Sequence, residues 1–177
     1  MSRNAAEEPA KVESPAEWVA MSKPGESHRL MDSFVGTWNV TMKFWSSPQS
    51  APEQSSGVSE SRWILGKRFI QESFKGKVGG QDFEGIGLFG FDNGRRRFDT
   101  LWLDSLNTSV ARSSGAFDPE NQIYSFEGQV YDPVLGRDKA TKTTIRFLSP
   151  TRYVLTMFDH NPVYGDYKSL EMEYVRR

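Results

Sequence analysis

A roughly ten-stranded, up-and-down antiparallel β-barrel is the fold class this sequence predicts, and three observations predict it. Apolar residues alternate with period two in ten successive segments from Thr37 almost to the C-terminus. The connections between those segments are short and built from Gly, Pro, Asn, Asp and Ser. A Gly36-Thr37-Trp38 opening marks the point where a short helical pattern gives way to the first strand. No helical period interrupts the strands, so each pairs with its chain neighbour, and closing the sheet removes the two edges it would otherwise expose. A two-sheet sandwich would need longer crossing connections.

The elements follow in order. Residues 1–13, rich in Ala, Glu and Lys, have the composition of a disordered tail. Ser14-Pro15-Ala16-Glu17 matches a capping box with Pro at the first helical position, which predicts a short helix carrying Trp18, Val19 and Met21. Lys23-Pro24-Gly25 ends it. Residues 26–34 read as a second short helix because Leu30, Met31 and Phe34 share a face. Residues 14–35 thus pack as helices on a barrel domain spanning residues 36–177.

In the first strand Trp38, Val40, Met42 and Phe44 point one way and Thr37, Asn39, Thr41 and Lys43 the other. Residues 46–56, rich in Ser, Pro and Gln, read as a loop. Residues 58–65 and 68–75 form strands about a Gly66-Lys67 turn, and 76–81 a flexible connection. Residues 82–91 and 95–104 flank Asp92-Asn93-Gly94, a hairpin signal because Asn-Gly tolerates positive φ. Residues 108–117 and 122–131 are joined by Asp118-Pro119-Glu120-Asn121, with Pro preset for its place in the turn. The last three strands, 138–148, 152–158 and 166–175, are entered through turns at 132–136, 149–151 and 161–165.

Composition narrows the function classes. The 177 residues suit one domain. With 22 basic and 23 acidic residues the net charge is −1, so no global field favours nucleic acid or an anionic membrane, and neither is expected as a partner. The lack of Cys excludes disulfides, thiolate catalysis and Cys-built zinc sites, and fits a cytoplasmic location. No apolar run approaches the about 18 residues that span a bilayer. Residues 1–12 have no apolar core, so no secretory signal is expected. Five Trp, six Tyr and twelve Phe, with glycines inside strand-like runs, suit a curved sheet filled by rings.

Several constellations bear on chemistry. Trp102 and Asp104 share a strand face; if that face is interior, the carboxyl sits near the barrel mouth beside an apolar surface, where desolvation would suit it to proton transfer. The alternative is that Asp104 caps the turn that follows it. Glu72 and Glu84 also lie within strands, and Glu84 is in phase with Ile86 and Leu88, which would turn it inward. Glu127 and Arg146 are candidates for an inward ion pair, and an inward Glu would need a partner such as Arg112 or Arg146. Strand parity alone does not decide between inside and outside for Glu72, Glu84, Glu127 or Arg146.

His28 lies in the helical segment, where a satisfied structural role is the expectation and acid–base chemistry the alternative. His160 falls in a turn. No spacing of metal ligands brings these two histidines together with Asp104 or Asp159, so no metal is expected. Gly85-x-Gly87-x-x-Gly90 fits a dinucleotide fingerprint only superficially, because it lies within a strand rather than opening a helix. Arg95-Arg96-Arg97 reads as a solvated cluster, and no nucleophile-elbow motif supports Ser/His/Asp catalysis.

The runs Pro24-Gly25-Glu26-x-His28-x-Leu30, Val35-Gly36-Thr37-Trp38, Gly66-x-x-Phe69-x-Gln71, Phe83-Glu84-Gly85-Ile86-Gly87-Leu88-x-Gly90-x-Asp92-Asn93, Trp102-x-Asp104-Ser105, Tyr131-Asp132-Pro133 and Glu171-Met172-Glu173-Tyr174-x-Arg176 resemble a bacterial family known only as a domain of unknown function. The resemblance covers about residues 24–177. That family looks calycin-like, similar to lipocalins, fatty-acid-binding proteins and nitrobindins, which implies a ligand-sized barrel and no established reaction. It also implies that Arg176 packs over Trp38 to close one end; Leu170, Met172, Tyr174 and Arg176 share a face, in agreement. Nitrobindins hold haem through a His near the last strand, but residues 167–177 contain none, so no cofactor is expected.

The leading expectation is therefore a barrel that binds a small, largely apolar or aromatic molecule, with Trp102, Asp104, Phe89, Tyr153 and Met157 lining the site. The alternatives are an enzyme using Asp104 or Glu72 for acid–base chemistry and a homo-oligomeric scaffold without a ligand.

Overall fold

A computed structural model describes residues 14–132, 136–161 and 163–177. The expected tail at 1–13 lies outside the described residues, as do Pro133, Val134, Leu135 and Pro162 of two expected turns. The chain forms α1 (Pro15–Met21), α2 (Glu26–Leu30), a 3-10 turn (Met31–Phe34), and then the strands β1 (Gly36–Phe44), β2 (Glu53–Ile64), β3 (Phe69–Val78), β4 (Gln81–Asp92), β5 (Arg97–Asp104), β6 (Ala111–Asp118), β7 (Ile123–Asp132), β8 (Arg137–Ser149), β9 (Arg152–Asn161) and β10 (Gly165–Arg176). Each strand pairs with its chain neighbours, and β1 pairs antiparallel with β10, so the sheet closes. No helix among the described residues is long and apolar enough to cross a membrane.

The local rules act as expected at several points. Ser14 accepts from the Glu17 backbone N–H while the Glu17 carboxylate accepts from the Ser14 backbone N–H, a complete capping box that starts α1. In β1 the alternation puts Trp38, Val40 and Met42 fully inside and Asn39 and Thr41 outside. Asp118 accepts from the N–H groups of Glu120 and Asn121, which sets the turn after β6.

Four expectations are corrected. The second helix is α-helical only to Leu30 and then tightens to a 3-10 turn. β2 begins at Glu53 rather than near 58, because the Ser55 hydroxyl donates to the Lys77 carbonyl and ties this polar stretch to the end of β3. Residues 108–110 are not strand; Asn107 accepts from the Ser109 backbone N–H and hydroxyl and holds them in the β5–β6 turn. The β4–β5 turn runs over residues 93–96 with positive φ at Arg96 (53°), not at Gly94. There Asp92 accepts from Gly94 and Arg95 N–H, and the Asn93 amide is drawn away to donate to the carbonyls of Met21 and Lys23.

That last contact helps fix a helical plug in one end of the barrel. Trp38 Nε1 donates to Phe34 O at 2.9 Å, Trp63 Nε1 to Asp32 Oδ1 at 2.7 Å, and Tyr124 OH to Leu30 O at 3.1 Å. Phe34 projects inward as a stopper, with ring centroids 4.9–5.4 Å from those of Phe89, Tyr124, Phe147 and Tyr153. Edge-to-face packing of this kind adds to the burial of the rings themselves. Chain direction puts the β2–β3, β4–β5, β6–β7 and β8–β9 turns at this closed end and the remaining turns at the opposite mouth. The plugged half is therefore solid aromatic core.

Candidate functional site

The mouth holds a cavity of about 540 Å³, open to solvent on one side. Its apolar wall is Phe44, Trp45, Val130, Met157, Tyr167 and Leu170, and its polar groups include Glu53, Lys139, Thr141 and Asp159. Lys139 Nζ lies 2.6 Å from Asp159 Oδ2 and 3.3 Å from Asp132 Oδ2. Burial alone would lower its pKa, but the bonds and charges of Asp159 and Asp132 outweigh burial and hold the ammonium above its usual value. Trp45, just past the end of β1, is held as a rim residue: its backbone N–H donates to Ser169 O at 2.9 Å and Lys168 Nζ lies 4.5 Å from its ring centroid.

Below and to the side of this cavity lies a polar cluster inside the barrel. Glu72, on the inner face of β3 between buried Ile70 and Phe74, accepts from Ser59 Oγ at 2.6 Å and Tyr174 OH at 3.3 Å, both on Oε1. Burial pushes the carboxyl pKa up, and the two hydroxyl bonds only partly oppose it. A methyl group on Gly87 would lie 3.3 Å from Glu72 Oε2 and 3.4 Å from Trp102 Cε3, so the bare backbone there is what lets carboxyl and indole approach each other. Trp102 Nε1 in turn donates to Asp104 Oδ2 at 3.0 Å.

Asp104 caps the turn that follows it and also meets the Trp102 indole. Its Oδ1 caps the turn by accepting from Leu106 N at 2.9 Å and Asn107 Nδ2 at 3.0 Å, while Oδ2 faces the indole. Of the residues expected to line a ligand site, Met157 lies on the mouth cavity. Trp102 packs on Phe83 beside it in the core cluster, and Phe89 and Tyr153 sit in the plugged half around Phe34. Arg176 lies over Trp38 at 4.2 Å from the ring centroid.

The structure decides the facing of three charged residues that strand parity left open. Glu84 faces out and pairs with Lys75 at 3.0 Å, since the inward set on β4 is Phe83, Gly85, Gly87 and Phe89 while Ile86 is 46% exposed. Trp102 accounts for the glycines in that set: a side chain on Gly85 would run into its indole. Glu127 and Arg146 are both exposed and stand opposite Lys142 and Ile123, so they make no inward pair. Arg112 is exposed as well. His160 pairs with Asp166 at 2.8 Å on the surface, and among the described residues no group of three metal-binding side chains gathers.

Sequence reasoning passed over Trp45, Lys139, Tyr167 and Leu170 as site residues. A signal existed for one of them: Lys139 is in phase with Thr141, Thr143 and Ile145 on the inner face of β8, and Asp159 is in phase with Met157 and Leu155 on the adjoining strand. A cation and a carboxylate on the inner faces of neighbouring strands were legible as a lumenal pair.

A ten-stranded up-and-down barrel, plugged by short helices at one end and hollow at the other, is a calycin-like barrel. The chain belongs to the family described as "Protein of unknown function (DUF1579)", which matches residues 23–176. No curated protein matches it. Among solved structures it is similar to the S-type phycobiliprotein lyase CPES from Guillardia theta, with 13% identity, 91% of this chain and 97% of that chain covered, and a TM-score of 0.57. It is also similar to Rv2717c from M. tuberculosis, with 10% identity, 88% of this chain and 99% of that chain covered, and a TM-score of 0.64. At these identities the likeness is one of fold.

Proposed function

We propose that the protein binds a small, largely apolar or aromatic molecule at the open end of the barrel. The observation that carries this reading is the mouth cavity, whose volume of about 540 Å³ falls in the range of small-molecule sites, and whose wall joins aromatic and aliphatic surface to a few polar groups. Phe44, Trp45, Met157 and Leu170 supply apolar contact, and the Lys139–Asp159 pair supplies fixed polarity to orient the guest. The cavity is one-sided, so a guest enters without the plug having to move.

Native mass spectrometry of the freshly purified full chain, together with Met157→Trp, tests it. The wild type should carry a small molecule or take up apolar dyes, and the larger ring in the cavity should reduce that uptake by about tenfold or more, some 1.4 kcal/mol. Equal uptake by a folded Met157→Trp variant would sink the reading.

A second reading, acid–base chemistry by Glu72, draws on the carboxyl's position inside the barrel and its raised pKa. It differs in outcome, because Glu72→Gln should then abolish turnover while leaving uptake at the mouth intact.

A further inference from the structure

A second cavity, of about 330 Å³, lies at the closed end between the helical plug and the β2–β3 and β4–β5 turns. His28 lines it and is only 5% exposed. Its Nδ1 accepts the Gly25 backbone N–H at 3.1 Å, and a ring nitrogen that accepts leaves the proton of the neutral imidazole on the other one, Nε2. Burial, then the nearby charge of Arg68, lowers the His28 pKa, which keeps the ring in this neutral form. Nε2 has no hydrogen-bond partner among the described residues, yet no buried side-chain nitrogen or oxygen among them is left unsatisfied. The Nε2–H therefore opens onto the cavity.

Arg68 supplies a second open donor on the same wall. Its Nε donates to Ser22 O at 3.0 Å and its Nη1 to Leu65 O at 3.1 Å, which fixes the guanidinium between α1 and the β2–β3 turn. Nη2 has no partner among the described residues. The two carboxylates that also line the cavity have cations of their own: Asp92 pairs with Arg95 at 2.8 Å and Asp99 with Arg97 at 3.0 Å. Among the described residues Arg68 is left as the wall's unmatched charge.

We propose that His28 Nε2–H and Arg68 form an anion site for a small monocarboxylate, whose apolar body lies against Met21, Phe69 and Phe91. Two donors facing one space match the two oxygens of a carboxylate, and a fixed guanidinium matches its charge. A dianion such as phosphate would bring a second negative charge up to Asp92 and Asp99 with no cation left to meet it. A neutral alcohol would leave Arg68 uncompensated. The site is separate from the mouth cavity and stands or falls apart from it.

The test is nuclear magnetic resonance of the full chain, following the His28 ring and the Gly25 amide as hexanoate, hexanol or inorganic phosphate is added. Hexanoate should give saturable shifts and the other two should not. His28→Asn places an acceptor near the position of Nδ1, so the Gly25 bond survives while the Nε2 donor is lost; Arg68→Met removes the charge. Each should weaken hexanoate by about tenfold, and Met157→Trp should leave it unchanged. If Arg68→Met does not fold, Arg68→Lys, which keeps the charge and loses the fork, should weaken binding by a smaller but measurable factor. The assignment is overturned if hexanoate gives no saturable shift, if phosphate binds as tightly, or if hexanoate binds the folded His28 and Arg68 variants as it binds the wild type.

Discussion

The guanidinium of Arg176 lies 4.2 Å from the centre of the Trp38 ring, and the same group donates to Val35 O at 2.8 Å and Ser33 O at 3.2 Å. One side chain thus ties the last strand, the first strand and the end of the plug together. The contact also explains Gly36, whose φ is +142° and whose missing side chain leaves the space that Arg176 Nη1 occupies. Replacing Arg176 by Met keeps most of the stem packing and removes the cation and its donors.

Arg176→Met should cost about 2–4 kcal/mol of stability, from a cation–π contact of roughly 0.5–2 kcal/mol and hydrogen bonds of about 1 kcal/mol each. Urea unfolding followed by tryptophan fluorescence measures this. A midpoint unchanged from wild type would show that the closed end does not depend on the contact.

Glu72, set on the inner face of β3, gives stability an unusual dependence on pH. Its carboxyl pKa is raised from 4.5 by burial, so the folded state holds this proton more tightly than the unfolded chain does. The contribution is complete below 4.5 and is lost as pH rises through the raised folded value, the reverse of a salt-bridged carboxylate. Glu72→Gln retains an acceptor for Ser59 and Tyr174 and cannot ionise, so it should match the wild type in acid and exceed it at higher pH. Denaturation midpoints of both proteins across a pH series decide the matter, and parallel curves would refute it.

Asp104 separates structure from chemistry. Its two oxygens accept three hydrogen bonds, from Trp102, Leu106 and Asn107, and removing them in Asp104→Ala should cost about 1–3 kcal/mol. The Trp102 indole N–H resonance should move and the turn at 105–110 should exchange its amides faster. An intact indole resonance with unchanged exchange would mean that the carboxylate is not what orders this end of β5.

The barrel was legible because β1 announces itself: Trp38, Val40 and Met42 are large and apolar, their neighbours are polar, and the period of two follows. The start of β2 was not, because its lumenal positions Ser55 and Gly57 are small rather than apolar, and size alternation leaves no hydrophobic signal. The same property left the facing of β4 open, because glycines face inward there to admit Trp102. The Glu72–Tyr174 contact joins residues 102 apart in the chain, and strand periodicity carries no information about which side chains meet across a lumen. The mouth cavity depends likewise on where β7 to β10 and β1 converge, with Trp45 placed by a bond to Ser169 on the far side of the sequence.

The seam between β1 and β10 sets the timetable of folding. Trp38 stands in the first strand of the barrel to leave a ribosome, and Arg176, its partner across the seam, in the last. Until β10 has emerged, the growing sheet keeps an open edge at β1 and another at its newest strand, and both invite pairing with other chains. Closure waits for β10 and has a long loop to draw shut, and chains cut short before β10 should aggregate rather than form a smaller barrel.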